Sequence, residues 1–377
     1  MDNITHTLVG LTLSRTPLER AGRGTTAALI IASNLPDIDV VMALHGGRAA
    51  YLADHRAFTH SVFGIVVLAI VTAALVRSWE HRPRRHTSPE PREPLASWTA
   101  LIGVSLVGTI GHVLLDLATP YGTRLLSPLS GVWYSVDWMP IIDVYFLAIL
   151  IGGTAAFLLR RERRRGIAAA VILLSLGYYG LRAASHQAAL HELGAELAAR
   201  GIHPCTADAD PSQAALLALY RWPSSAPSGE NGSVAAGESS DCLLEAAAIP
   251  TFLSPFVWRM VERYPDAYEL TDLDVRPFGF PGGSSPGTLQ DIRFPDSHAP
   301  AVARAAQAPD ARVFLHFARF PMAHVEEAGG RTAVSWTDAR FLGGITRLVP
   351  AHPQTSPFRL TVTLDPRGDI LSASFGQ

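Results

Sequence analysis

The chain has 377 residues, a length that suits two domains better than one. It is 48% hydrophobic and only 17% charged, with a positive mean hydropathy, so part of its apolar surface is expected to face lipid rather than a core. A net charge of −2, with all 31 basic residues arginine, leaves no nucleic-acid footprint and excludes that class of partner.

The first fifteen residues read as a short helix capped near Asp2 or Asn3, with His6 close to its start. A turn rich in Arg and Gly at 15–24 leads to a second short apolar helix at 25–35. Each run is about 11 residues, or about 17 Å of helix, against a hydrocarbon core of about 30 Å. The pair is therefore expected to form a re-entrant or tilted hairpin. Pro36 breaks the second helix and leaves Asn34, Asp37 and Asp39 on a bend where short polar side chains converge. An acidic pair after proline is also an ordinary turn. The weighting changes with His55 and His60, which sit in HRAFTHS directly before the next apolar run.

Four apolar runs of span length are expected, at about 62–76, 97–117, 139–159 and 166–184. Arginines crowd the linker at 82–92, the RRERRR at 160–165 and the early turn, whereas the loop from 119 to 140 holds only Arg124. Short basic loops stay cytoplasmic, which puts the opposite helix ends outside. Those ends carry His6, the Asp37/Asp39 bend, His55 and His60, His112 and Asp116, and Asp137 and Asp143. A His and an Asp four apart, like His112 and Asp116, lie one turn apart on one helix face, where both reach a shared cation. Ionisable groups in an apolar run are costly, so they have either such a purpose or a hidden partner. The plain alternative is that His112 and Asp116 satisfy each other inside a helix bundle.

From residue 186 the chain is water-soluble in character. An amphipathic helix is expected at 185–200, with His186 and His191 solvated or packed against the bundle, and a second helix at 211–220. A Ser-, Gly- and Ala-rich stretch at 223–241 reads as a flexible exposed loop. Short alternating runs follow at 249–259, 267–275, 312–320, 331–338, 358–364 and 370–375, the last two joined by the hairpin signal DPRGD. The expectation is an antiparallel sheet with one or two helices. The fourth span exits outward, so this α+β domain is expected outside the cytoplasm, where Cys205 and Cys242 have the option of pairing. Its histidines, His298, His316, His324 and His352, show no ligand spacing. An acidic start without a small-residue cleavage site gives no removable signal peptide.

Imidazole with carboxylate suits zinc, and also iron or manganese, and lacks the thiolates of a structural zinc site. The donors outnumber the needs of one ion. Two or three ions bridged by a carboxylate such as Asp116 accommodate them, and such clusters hydrolyse phosphate esters through a metal-bound water. Asp37 or Asp39 is alternatively an acceptor behind a ligand, or a general base. The ordered series MDNITHTLVG, NLPDID, HRAFTHS, HVLLDLATPYGTRLLSP and IIDVYF resembles the YdjM-type family of membrane-bound metal-dependent hydrolases over about residues 1–185. It is more loosely similar to the zinc-dependent phospholipases C, which also use a His-x-x-x-Asp pair. The resemblance implies a polytopic membrane hydrolase with His6, Asp37, Asp39, His55, His60, His112 and Asp116 as metal ligands.

The expected architecture is a helical membrane bundle over 1–185, a short hairpin plus about four transmembrane helices, followed by an extracytoplasmic α+β domain over 186–377 with an antiparallel sheet. The expected activity is hydrolysis of a phosphoester, of a membrane lipid or a small molecule, at the outer face of the cytoplasmic membrane. Asp37, Asp39 and His112 are the expected catalytic residues. Two other classes stay open: a membrane protein that uses the cluster structurally or for transport, and a soluble domain that does the work while the bundle anchors it.

Overall fold

A computed structural model describes residues 1–81, 94–216, 218–223, 242–276, 287–342 and 356–376. The Arg-rich linker at 82–92, nearly all of the 223–241 stretch, His86 and His352 lie outside them. The chain packs as two units, one of Met1–Met42, Asp54–Ser135 and Ile141–Gly180, the other of Ala43–Ala53, Val136–Pro140 and Leu181–Gln377.

The first unit is helical. Helix α1 (Asn3–Leu13) starts at Asp2, whose carboxylate accepts from the backbone N–H groups of Ile4 and Thr5. Helix α2 (Thr25–Ala32) stops short of Pro36, and the chain goes on as a 3-10 segment, Leu35–Met42, and then as α3 (Ala43–Asp54), all but the last residue of which belongs to the second unit. Taken together, α2 and Leu35–Asp54 make an apolar pair bent by 40°, whereas the expected hairpin pairs the runs at 1–15 and 25–35. Helix α4 (Val62–Glu80) is capped by Ser61 of HRAFTHS and α5 (Trp98–Leu117) by Ser97. A short strand, β1 (Trp133–Ser135), precedes α6 (Val144–Leu159), and α7 (Arg164–Ala199) follows. Helix α6 begins five residues later than expected, because Asp143 is its N-cap and Pro140 lies just upstream. The expected amphipathic helix at 185–200 is the continuation of α7. Three helices are long and apolar enough to cross a membrane, Val62–Glu80, Trp98–Leu117 and Arg161–Ala199, or four if the bent pair counts as one span.

Small residues let these helices approach closely. Ala28 and Leu29 of α2, Ala73 and Val76 of α4 and Leu101 and Val104 of α5 form one buried cluster. At Gly108 a Cβ would meet the Ala32 Cβ at 2.7 Å and the Leu29 carbonyl at 3.2 Å, so α5 lies against α2 just where α2 ends. The outward faces stay apolar, with Val66, Val67 and Ile70 on α4 and Leu173, Leu174 and Leu176 on α7 all exposed, as a lipid-facing surface requires.

The second unit holds strands β2 (Tyr220–Trp222), β3 (Glu245–Pro250), β4 (Val257–Arg263), β5 (Ala267–Asp274) and β6 (Gly287–Pro295), helices α8 (Pro300–Ala305) and α9 (Pro309–Phe317), then β7 (Pro321–Ala328), β8 (Arg331–Asp338), β9 (Arg359–Leu364) and β10 (Ile370–Phe375). Two four-stranded antiparallel sheets result, in the orders β3-β4-β5-β6 and β10-β9-β8-β7. Side chains alternate across β4: Trp258 and Met260 pack on Leu190, Leu193 and Leu197 of α7, and Val261 packs with Phe320 and Met322. Cys205 and Cys242 form a disulfide. The DPRGD turn joins β9 to β10, with the Asp365 carboxylate accepting from the N–H groups of Arg367 and Asp369 and Gly368 at positive φ.

Three expectations for this unit change. The helix expected at 211–220 is a 3-10 turn, Pro211–Gln213, with extended Ala214 and then β2. The run at 249–259 is two strands, parted at the proline-bounded stretch from Pro250 to Pro255. The run at 312–320 is helical, since Ala311, Phe314 and Phe317 are buried at the three-residue spacing of a helix face.

On β4 the buried Glu262 lies directly across from Glu269 of β5. Burial pushes the Glu262 carboxyl from its usual 4.5 up to about 7, with the Tyr264 hydroxyl at 2.6 Å opposing, the Glu269 charge adding, and Arg200 opposing. The folded chain thus holds this proton more tightly than the unfolded one. Its contribution is full below about pH 4.5 and fades as pH rises to about 7, a loss of ~3 kcal/mol. In detergent, the melting temperature of the full chain is expected to fall more between pH 4.5 and 7.5 than that of Glu262→Gln. Parallel curves for the two proteins would show that this carboxyl is not titrating.

Candidate metal centre

All seven expected ligands belong to the first unit, and the structure brings six of them into two groups. Asp37, His60, His112 and Asp116 form one, and Asp37, Asp39 and His55 the other, each with donor atoms within 4.8 Å of one another. They arrive from three separate segments: the 3-10 segment that contains Pro36, the HRAFTHS turn, and the last two turns of α5. Among the described residues no further group of this kind occurs, so the histidines of the second unit form none.

The first group is compact and buried. His60 Nε2 lies 3.0 Å from His112 Nε2, 3.1 Å from Asp116 Oδ2 and 3.5 Å from Asp37 Oδ1. His112 Nε2 lies 3.3 Å from Asp116 Oδ2 and 3.5 Å from Asp37 Oδ1. Donors about 2.05 Å from a tetrahedral zinc are separated by about 3.3 Å, which is the middle of this range. The remaining ring nitrogens assign the tautomers. His112 Nδ1 donates to the Ser33 carbonyl at 2.8 Å, so its Nε2 carries a lone pair. The Thr59 hydroxyl donates to Asp39 Oδ2 at 2.7 Å, leaving its oxygen to accept from His60 Nδ1 at 3.0 Å. His60 Nε2 is then also a lone pair. Two imidazole lone pairs and two carboxylate oxygens converge with no proton between the rings, an arrangement that a cation stabilises.

The second group is more open. Asp37 and His55 side chains are 14% and 11% exposed, whereas His60, His112 and Asp116 are at 0%. Asp39 accepts from His55 Nδ1 at 2.8 Å, from the Arg56 N–H at 2.9 Å and from Thr59, which orients the His55 ring and leaves its Nε2 as the donor. Asp37 is the carboxylate common to both groups, the place where the sequence pattern had offered Asp116.

His6 stands beside the groups rather than in them. Its ring stacks on that of His112 at 3.8 Å, and its Nε2 is 3.4 Å from Asp116 Oδ1. It is fully buried, and neither ring nitrogen has a hydrogen-bond partner among the described residues. An unpartnered buried imidazole is costly, and a cation beside it would remove the cost. The Met1 amine also contacts Asp116 Oδ1. Asp137 and Asp143 are occupied elsewhere: Asp137 pairs with Arg319 at 2.8 Å, and Asp143 caps α6 while accepting from Tyr178.

Sequence reasoning missed Ser33, Thr59, Arg56 and Thr119. Arg56 and Thr59 stand between the two histidines of HRAFTHS, so the motif itself carried the signal; Ser33 acts through its carbonyl, for which no residue type is a signal.

A helical membrane unit whose span ends converge on buried imidazoles and carboxylates, positioned to hold a metal ion, is the class that fold and site define. The family model of the YdjM inner membrane protein matches residues 1–189, and the chain belongs to that family. An uncharacterized Bacillus subtilis (strain 168) protein, YfhP, is 26% identical over 153 residues, which cover 38% of this chain and 42% of that protein. The match thus spans less than half of that relative's length. No solved structure matches. Neither the family match nor this relative carries the looser similarity to the zinc-dependent phospholipases C.

The turn that holds His60 is tight against α4. A Cβ at Gly64 would collide with the Phe58 carbonyl, one residue before Thr59. Gly64→Ala is therefore expected to displace His60 and weaken metal binding roughly 10-fold or more, with a lower melting temperature. Unchanged zinc affinity in a titration of this variant would show that His60 is not a ligand.

Proposed function

We propose that this chain is a metal-dependent hydrolase of a phosphoester, with zinc as the metal and two ions sharing Asp37. The observation that carries the reading is the convergence of two imidazole lone pairs and two carboxylates at 3.0–3.5 Å in a largely buried place. Asp37, His60, His112 and Asp116 would hold the inner ion, Asp37, Asp39 and His55 the outer one, and His6 adds a donor beside Asp116. When bound, such ions supply Lewis acidity and lower the pKa of a coordinated water. The outer set has only three donors, the number that leaves a position for water. Asp37, the most exposed of the three carboxylates, would serve as the general base, and Asp39, which accepts from His55 Nδ1, the Arg56 N–H and Thr59, would steer His55 as well as add its donor to the outer set. His112 acts as a ligand steered by Ser33.

Support for the outer face of the cytoplasmic membrane, for the site and for the second unit, comes from the arginine-dense loops at 15–24, 82–92 and 160–165, which belong to the opposite helix ends, and from the disulfide, which suits an oxidising compartment. Ile38 and Val40, which alternate with the two carboxylates, are each 54% exposed, which favours a lipid as the phosphoester.

A second reading rests on the inner group, whose four donors are the number that a closed structural site takes. Metal analysis of the purified protein, with turnover measured on phospholipids and on aryl phosphoesters, separates the two. The expected result is bound zinc, with hydrolysis that falls by roughly 100-fold in His112→Ala. Bound zinc without turnover on any ester would favour a structural or transport role.

A further inference from the structure

Arg56 is a buried cation inside the cluster that no ligand role accounts for. Its backbone sits at φ 55, a left-handed conformation that side-chain-bearing residues seldom adopt. In that conformation one residue reaches both groups. The backbone N–H donates to Asp39 Oδ2 at 2.9 Å, while the guanidinium donates to Asp116 Oδ1 at 3.0 Å and to the Asp116 carbonyl at 3.3 Å. The same Nη1 donates to Thr119 Oγ1 at 2.9 Å and to the Gly122 carbonyl at 3.4 Å, and the guanidinium carbon lies 4.7 Å from the centre of the Tyr121 ring.

We propose that Arg56 is the positioning residue of the centre: its guanidinium fixes the Asp116 carboxylate so that Oδ2 faces the inner group, and its N–H fixes Asp39 behind His55. This rests on the metal-centre reading above. Asp116 Oδ2 is the atom within 3.1 and 3.3 Å of the two imidazole nitrogens, and Oδ1 is the atom Arg56 holds. A carboxylate at the end of a helix has free rotation about its side-chain torsions unless its second oxygen is tied. Arg56 ties it and at the same time joins α5's last carbonyls to the Thr119–Gly122 turn. If the backbone contact to Asp39 were all the fold needed, glycine would supply it at this φ without strain. The long side chain is retained in an unfavourable backbone conformation, and what it contacts is a ligand.

Glycine and alanine at this position therefore separate the two functions. Arg56→Gly keeps the left-handed backbone and the N–H to Asp39 but removes the guanidinium. Arg56→Ala removes the guanidinium and keeps the backbone strain. Arg56→Lys keeps the charge but cannot reach Asp116 and Thr119 together. Thr119→Val leaves Arg56 in place and removes one anchor of its guanidinium, so it serves if the arginine variants do not fold.

The full-length protein in detergent is loaded with Zn²⁺, dialysed against a chelator of intermediate strength, and its zinc counted beside its melting temperature without metal. The expected result is that Arg56→Gly retains one ion fewer than wild type, with inner-site affinity lower by roughly 10- to 100-fold. Arg56→Ala is expected to lose more than Arg56→Gly, Arg56→Lys to recover part of the loss, and Thr119→Val to weaken the same ion more mildly. Wild-type zinc count and affinity in Arg56→Gly, or equal loss of every ion in Arg56→Gly and Arg56→Ala, overturns the positioning role while leaving the metal reading intact. A wild-type protein that retains no zinc overturns both.

Discussion

Two imidazole nitrogens 3.0 Å apart, each with its proton committed to the far side of its ring, are the constraint around which the helical unit is arranged. Lone pairs facing each other with two carboxylate oxygens beside them repel unless something positive lies among them. Burial intensifies this, because no water screens the donors and the ionised carboxylates cannot be left uncompensated. Arg56 supplies positive charge at Asp116 and the Met1 amine a further contact, but both sit on Oδ1, the oxygen turned away from His60 and His112. The face formed by His60, His112, Asp37 and Asp116 Oδ2 is what a divalent ion completes.

The packing serves that convergence. Gly108 lets α5 close on the end of α2, which puts the Ser33 carbonyl against His112 Nδ1 and settles which nitrogen faces inward. Pro36 diverts the chain into a 3-10 segment instead of a continued helix, and that diversion turns Asp37 and Asp39 toward the two histidines of the next turn. Ser61 then starts α4 with an N-cap, so the span begins immediately after the last histidine of HRAFTHS. Each device is local, yet together they bring four distant parts of the chain within hydrogen-bonding distance.

Much of this was legible in the sequence because its signals were covalent or periodic. A His and an Asp four apart on an apolar helix, a proline before an acidic pair and the cap near Asp2 all act within a few residues, and the membrane-length runs stand out by composition alone. The bend after α2 was legible only as far as Pro36, which ends that helix. What stayed hidden depended on tertiary partners. Asp137 and Asp143 look like the other candidate carboxylates in sequence, and only the fold shows one paired with Arg319 and the other capping α6. That Asp37 rather than Asp116 is shared by both groups is a matter of distances. In the second unit, the run Val313-Phe314-Leu315 and Phe317 has a β-like composition that competes with the helical spacing of Ala311, Phe314 and Phe317, which is the signal α9 follows.

The central claim, that span ends deliver nitrogen and oxygen donors to a common cation, is tested most directly by X-ray absorption at the zinc edge on the metal-loaded protein. The account predicts a first shell of nitrogen and oxygen only, at about 2.0–2.1 Å, with the outer-shell scattering of at least two imidazoles. A first shell containing sulfur near 2.3 Å, or one of water oxygens without imidazole scattering, would contradict it.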